Sequence, residues 1–145
     1  MNAASNVTRD FFRQYERSRN TFDTDLIDSQ YPESFMQAGP DGARVAEKAR
    51  VLAGVAKGKE WLRTLGHTST TLVSLEELTL DEHYAVVRAR FVWHFKQQSA
   101  QAVDVDVDST FILYTKDGAP TIVFQHEHED FQQALRAHGV LPVQA

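Results

Sequence analysis

Apolar residues recur every three to four positions in the first part of the chain and alternate with polar residues through much of the rest. A stripe that includes Phe11 and Tyr15 predicts a first helix over residues 7–20. Ser5 or Asn6 is the expected N-cap, because a short polar side chain accepts hydrogen bonds from the open backbone donors of a helix start.

A second short helix is predicted over about 22–29, and a short strand over residues 34–38. The stretch 39–42, Gly-Pro-Asp-Gly, predicts a turn because glycine and proline interrupt regular structure. The Ala- and Lys-rich segment after it predicts a helix over residues 43–65, which Gly66 ends.

Beyond this glycine the helical spacing gives way to the two-residue alternation that is typical of strands. The pattern predicts four strands and a closing helix, over residues 68–80, 84–96, 102–116, 120–128 and about 129–138. Helices in the first half and strands in the second predict an α+β fold. The 145 residues fit one domain, 1–145.

Asp117-Gly118 is the dipeptide of a tight two-residue hairpin loop, and it sets the register of the two strands around it. This register places Ser109 opposite His126, and directly paired residues share a face of the sheet. The predicted inner face of the hairpin consists of Val103, Val105, Val107, Ser109, Phe111, Leu113, Ile122, Phe124, His126 and His128. The predicted outer face consists of Asp104, Asp106, Asp108, Thr110, Thr121, Gln125 and Glu127.

The strand before the hairpin extends both faces. Its spacing puts Phe91 and Trp93 on the inner face, while Arg90 on the outer face is expected opposite Asp108. The alternating Val and Asp of residues 103–108 suit an acidic metal-binding ladder, but an outer face with cross-strand ion pairs is favoured. Such exposed pairs contribute only ~0–1 kcal/mol each. The same face also suits a polar homodimer interface.

One predicted row across the inner face contains Ala89, Ser109 and His126. Two small side chains beside a histidine leave room above them, and a concave, mostly apolar cavity is the usual form of a small-ligand site. We therefore predict a pocket for an apolar or aromatic small molecule, lined by Phe11, Trp61, Ala89, Phe91, Trp93, Ser109, Phe111, Phe124 and His128. Alternatively, His126 is a core histidine bonded to Ser109 or to a helix residue.

Composition and charge exclude several classes of function. Fifteen basic residues against 20 acidic ones give a net charge of −5, which argues against sequence-independent nucleic-acid binding. The absence of cysteine excludes a disulfide scaffold, a thiolate metal site and a cysteine nucleophile. No apolar run approaches the ~20 residues of a membrane span, and the first residues lack a signal-peptide core. A cytoplasmic protein without a membrane partner is expected.

The candidate chemistry centres on histidine. His126 and His128 are two positions apart and suit a metal ion, but a catalytic zinc site needs a third ligand, so no metal is expected. No phosphate loop or nucleophile elbow is present in the sequence, and no cofactor is expected. His126 suits general acid–base catalysis, because imidazole titrates near neutral pH. Asp25 or Asp28 is a candidate for orienting it.

Three stretches, in their order along the chain, resemble the nuclear transport factor 2-like superfamily of ketosteroid isomerase, scytalone dehydratase and the SnoaL-type polyketide cyclases. They are FMQAGPDG after the paired helices, EWLRTLG at the end of the next helix, and STFILYTKDGAPTIVFQHEHEDF at the closing strands. The resemblance covers about residues 5–140 and is strongest with small bacterial members of unknown function. It implies a cone, in which a curved antiparallel sheet wraps around the N-terminal helices, and homodimers that pack through the sheet.

The resemblance carries the catalytic residues over only in part. Ketosteroid isomerase implies a first-helix tyrosine, matched in position by Tyr15, and an acidic base, near which Asp25 stands. Its second, protonated acid has no match, since the strand acids point outward in the predicted register. Scytalone dehydratase implies pocket histidines and tyrosines, which His126 and Tyr15 imitate. Three functions remain open: a small-molecule-binding domain, a cofactor-free isomerase, dehydratase or cyclase using these three residues, and a structural homodimer with no open pocket.

Overall fold

The structure is a computed structural model that describes residues 1–98 and 100–142. Its helices are α1 (Asn6–Thr21), α2 (Thr24–Gln30), α3 (Lys48–Thr64) and α4 (Phe131–Ala137). Its strands are β1 (Asn2–Ala3), β2 (Ser34–Gly39), β3 (Gly42–Glu47), β4 (His67–Thr79), β5 (Tyr84–Lys96), β6 (Ala102–Lys116) and β7 (Ala119–Glu127). The predicted α+β class and curved sheet are confirmed.

The strands form one curved, open sheet in the order β1-β4-β5-β6-β7-β2-β3. Neighbouring strands are antiparallel except β2 and β7, which run parallel. The helices α1 and α2 pack on the inner face, where the larger of two apolar clusters contains Phe11, Phe12, Tyr15, Ile27, Tyr31, Phe35, Val87, Ala89, Phe91, Phe111, Leu113 and Ile122. In the described part of the chain, no helix is long and apolar enough to cross a membrane.

Helix α1 has a side-chain cap at its start and a left-handed residue at its end. The Ser5 side chain accepts a hydrogen bond from the Thr8 amide at 3.3 Å, which confirms Ser5 as the N-cap. Phe12 and Tyr15 bury the apolar face of the helix against the sheet. Phe22 adopts a left-handed conformation with φ 58° and ends the helix, since its amide bonds the carbonyl of Ser18.

The predicted helix over residues 43–65 starts too early. Gly42–Glu47 forms strand β3, which pairs with β2 through the turn at Gly39 and Gly42, and α3 starts only at Lys48. As the edge strand of the sheet, β3 pairs with β2 over six residues, and this tertiary pairing outweighs the helix preference of its alanines. Gly42 supplies the positive φ of 121° that the turn requires.

A β-bulge in β7 changes the face of every residue after it. Leu113 pairs with Ile122 as the tight hairpin loop predicts, but Ile112 pairs with Phe124, so Val123 is an extra residue. Because side chains alternate between the two faces of a strand, an inserted residue moves all later side chains to the opposite face. The predicted register is therefore wrong from Phe124 onward.

On the other edge of β6, its pairing with β5 has the predicted register and confirms the predicted outer face. Arg90 is paired with Asp108, and its Nε lies 2.9 Å from a carboxylate oxygen of that residue. His94 lies opposite Asp104, with Nδ1 2.7 Å from the carboxylate. The alternating Val and Asp of this strand thus separate a buried face from a face with cross-strand ion pairs.

Candidate functional site

A cavity of about 290 Å³ lies between helix α1 and the inner face of the sheet. It is lined by Tyr15, Arg19, Tyr31, Phe35, Gln37, Val51, Phe91, Trp93, Val107, Ser109, Gln125, Glu127 and Phe131. Its size is close to the lower end of the range of about 300–1,000 Å³ that small-ligand sites occupy. The lining divides into apolar walls and one polar end.

Aromatic rings build the apolar walls. The Tyr15 ring lies 5.4 Å from Phe91, at the wall of the cavity, and 5.4 Å from Phe111, in the core beneath it. Trp93 and Phe131 close another side, with ring centroids 4.9 Å apart. These separations are typical of tilted and edge-to-face aromatic pairs, which fix ring orientations. The walls are therefore apolar and made largely of packed aromatic rings.

A chain of hydrogen bonds forms the polar end. Arg19 Nη2 donates to Tyr31 Oη at 3.2 Å, and Tyr31 Oη donates to Gln125 Oε1 at 2.7 Å. Gln125 Nε2 in turn donates to Glu127 Oε1 at 2.8 Å. Ser109 Oγ donates to the other carboxylate oxygen of Glu127 at 2.7 Å. The chain runs from a cation to a carboxylate, and each link has one donor and one acceptor.

Arg19 reaches this end of the cavity from α1, one helical turn after Tyr15. Its guanidinium carbon lies 4.2 Å from the centroid of the Tyr15 ring, which is cation–π geometry. The residue is half-buried, but its Nε atom is fully buried and has no hydrogen-bond partner among the described residues. The cation is thus held by an aromatic face and one phenol.

The phenols at this end are neutral. Burial raises the pKa of Tyr15 and of Tyr31 above the ordinary range of tyrosine, although the nearby Arg19 opposes the shift. Burial lowers the pKa of Arg19, but Tyr15, Tyr31 and Glu127 together raise it above its ordinary value. At neutral pH the cavity therefore contains one guanidinium cation and neutral phenol groups.

The structure brings four of the predicted site residues to the cavity: Tyr15, Phe91, Trp93 and Ser109. Three others, Phe11, Ala89 and Phe111, belong to the core cluster beneath it. Trp61 packs with a second apolar cluster, where its ring centroid lies 6.5 Å from that of Phe131.

The bulge removes Phe124, His126 and His128 from the predicted site. His126 is paired with Thr110 instead of Ser109, and the place opposite Ser109 is taken by Glu127. On the outer face His126 stacks on His128 at 4.7 Å, and His128 Nε2 lies 2.6 Å from Thr110 Oγ1. The inner-face role predicted for these three residues is therefore wrong.

Asp25 also lies outside the cavity. It is exposed in the first turn of α2, and its backbone amide donates to the capping Asp23 side chain at 3.0 Å. An acidic residue in a first helical turn interacts favourably with the helix dipole. The structure thus places Asp25 in a helix start and not beside the predicted acid–base groups.

Five polar residues of the cavity were not predicted from the sequence: Arg19, Tyr31, Gln37, Gln125 and Glu127. A signal for Arg19 existed, because it lies four positions after Tyr15 and therefore on the same helix face. The bulge hid Gln125 and Glu127, since the unbroken register assigned both to the outer face.

A second concavity, of about 380 Å³, lies under the β2–β3 turn and shares Gln37, Glu127 and Phe131 with the cavity. Residues 38–44 form most of its wall. The two spaces therefore have part of their walls in common, and Glu127 lines both.

Comparisons with known proteins give the fold and little more. No family model matches the chain, and no curated protein gives a significant match. A nuclear transport factor 2-like protein of unknown function from Shewanella oneidensis is 18% identical with a TM-score of 0.65, over 85% of this chain and 97% of that one.

Two further solved structures agree. A nuclear transport factor 2-like protein from Cytophaga hutchinsonii is 10% identical with a TM-score of 0.64, over 86% of this chain and 96% of its own. A superfamily protein from Salmonella enterica is 12% identical with a TM-score of 0.62, over 85% and 90%. The chain therefore has the nuclear transport factor 2-like fold, a fold that hosts unrelated functions.

Proposed function

We propose that the cavity binds a small molecule with an apolar or aromatic body. The observation that carries the proposal is the combination of packed aromatic walls with a single polar end in a space of about 290 Å³. Apolar surface supplies most of the affinity in such sites, and a few polar groups orient the ligand. The open volume also favours binding over a structural homodimer whose cone is filled.

A pair of tryptophan substitutions on α3 tests this proposal. Val51 is half-buried and lines the cavity, whereas Ala53 on the same helix is exposed. Val51→Trp is expected to fill the cavity and to abolish binding of apolar aromatic ligands, while Ala53→Trp leaves their affinity unchanged. Titration calorimetry against a panel of such ligands measures both. Equal affinities in the two variants place the ligand elsewhere and contradict the proposal.

The polar end also favours a second function, cofactor-free proton transfer in an isomerisation, dehydration or cyclisation. Glu127 is the one carboxylate that lines the cavity within residues 1–98 and 100–142, and neutral Tyr15 and cationic Arg19 lie at the same end. A carboxylate accepts a proton from an acidic C–H group, and neighbouring donors stabilise the oxyanion that forms. Glu127 takes the role that the sequence assigned to His126.

Hydrogen–deuterium exchange separates binding from proton transfer. Wild-type protein in deuterated buffer is expected to accelerate exchange at the carbon beside the carbonyl of a bicyclic aromatic ketone, followed by NMR. Glu127→Gln keeps the shape of the side chain and removes the base, so the acceleration is lost while ketone binding persists. Wild-type protein that binds the ketone without accelerating exchange is a binding domain only.

A further inference from the structure

The Arg19 guanidinium has hydrogen-bonding capacity that the protein does not use. Arginine carries five N–H donors, of which one donates to Tyr31 while the buried Nε has no partner among the described residues. Within residues 1–98 and 100–142, no carboxylate oxygen lies within 4.0 Å of this guanidinium. Partial burial of a cation with so few acceptors is unfavourable, so the site is incomplete on its acceptor side.

The carboxylate of Glu127 does not complete it. Each of its oxygens already accepts a hydrogen bond, from Gln125 at 2.8 Å and from Ser109 at 2.7 Å. Tyr31 and Gln125 stand between this carboxylate and Arg19 in the hydrogen-bond chain. The protein thus holds the two charges of the cavity apart and solvates the negative one with its own donors.

The missing acceptor is expected to come from the bound molecule. A guanidinium presents parallel N–H donors that match the two oxygens of a carboxylate. Tyr15 adds a second hydroxyl at this end of the cavity, and its oxygen accepts a 3.4 Å hydrogen bond from Gln125. The aromatic walls accommodate a ring beside this group. Resting on the proposed small-molecule binding, we infer that the ligand is an aromatic or alicyclic carboxylic acid whose carboxylate binds Arg19.

Because Glu127 carries the opposite charge, substitutions at Arg19 and at Glu127 are expected to change the affinity for an acid in opposite directions. Arg19 attracts a ligand carboxylate, whereas Glu127 repels it from the same cavity. Removing the positive charge of Arg19 therefore weakens the binding of an acid, and removing the negative charge of Glu127 strengthens that binding. A neutral ligand of the same shape responds weakly to both changes, because neither charge distinguishes it.

The experiment measures dissociation constants for benzoate, cinnamate and naphthoate, each beside its carboxamide. For the wild-type protein the acid that fits best is expected to bind at least about tenfold more tightly than its amide, as for hydrogen bonds to charged groups. Arg19→Met removes this preference with little change for the amide. Glu127→Gln increases the affinity for the acid several-fold. Thermal melting checks that each variant is folded, and Arg19→Lys, which keeps the charge, retains part of the preference.

The outcomes separate the inference from the proposal on which it rests. Equal affinity for acid and amide, or an acid preference that survives in Arg19→Met, overturns the acid assignment and leaves small-molecule binding intact. Weaker acid binding in Glu127→Gln also overturns it, since the carboxylate is then a partner of the ligand and not its competitor. Binding of neither series overturns both.

Discussion

Gln125 is the side chain on which the polar end of the cavity depends, and Gln125→Leu is the perturbation that tests this. The residue is 7% exposed and connects Tyr31, whose hydroxyl donates to it, with Glu127, which accepts from it. Leucine has a similar size but no polar atoms. The substitution therefore removes these two hydrogen bonds, and a longer one of 3.4 Å to Tyr15 Oη, while filling the same space.

The hydrogen bonds lost at Tyr31 and at Glu127 differ in their cost to stability. Tyr31 is 4% exposed, so its hydroxyl proton loses its acceptor where water does not replace it, at about 1–3 kcal/mol. Glu127 is only half-buried and also lines the second concavity, so water replaces its lost donor at about 0.5–1.5 kcal/mol. We expect Gln125→Leu to lower the free energy of unfolding by about 2–4 kcal/mol, a large share of the usual 5–15 kcal/mol.

Gln37→Leu is the matched control for this prediction. Gln37 lies beside Gln125 in the parallel β2–β7 pair and lines the same cavity, but its side chain accepts only an exposed 3.4 Å hydrogen bond from Arg44. Its replacement is expected to change stability by no more than about 0.5 kcal/mol. Urea unfolding followed by far-UV circular dichroism measures both variants. If Gln125→Leu is no more destabilising than Gln37→Leu, the hydrogen-bond chain does not stabilise the fold.

Three further predictions concern the rest of the molecule. Gly66→Ala is expected to lower the free energy of unfolding, measured in urea, by at least about 2 kcal/mol, because φ is +85° and an added Cβ falls 2.8 Å from the Lys96 carbonyl carbon. Gly58→Ala, at a helix position with open space around it, is expected to raise that free energy by about 0.5–1 kcal/mol. Equal effects of the two substitutions contradict the argument. Burial lowers the pKa of His67, so as the pH drops the unfolded chain binds the proton first, and stability falls below about pH 6.5. His67→Gln is expected to flatten this pH dependence of the free energy of unfolding. An unchanged dependence in the variant refutes the prediction. If two copies pair through the outer face of the sheet, light scattering gives a mass twice the 16.4 kDa of the chain. Met36→Glu, at an exposed position on that face, then lowers the mass to that of the monomer, while Val7→Glu on α1 leaves it unchanged. A monomeric wild-type protein contradicts the expectation.

The strands and the first helix were predictable because their patterns have one solution. In β6 the alternation of valine with aspartate admits a single assignment of faces, and the structure confirms it. The β2–β3 hairpin was harder to predict. Residues 43–47 expose nearly all their side chains, so no buried face imposes a two-residue alternation, and alanine-rich composition points to a helix.

The bulge at Val123 leaves no trace in the sequence for a physical reason. Ile122, Val123 and Phe124 are all apolar, and any one of them is acceptable on either face. The four residues that follow are all polar, so they do not report which face is buried. The hairpin loop determines the register only up to the first irregularity, and beyond it the pairing depends on contacts made by β2 and α1.

This single extra residue decides the chemistry of the cavity. In the unbroken register two imidazoles face α1; with the bulge, an amide and a carboxylate face it, opposite Tyr31 and Ser109. Phe111, Leu113 and Ile122 stay buried, but Gln125 replaces Phe124 opposite Phe111. A guanidinium at the polar end fits the second arrangement better than the first. Glu127 then balances its charge within the cavity, whereas two histidines would add to the positive charge whenever they were protonated. The bulge in β7 therefore brings an amide and a carboxylate to the cavity that contains Arg19, while the rest of the fold supplies the aromatic walls.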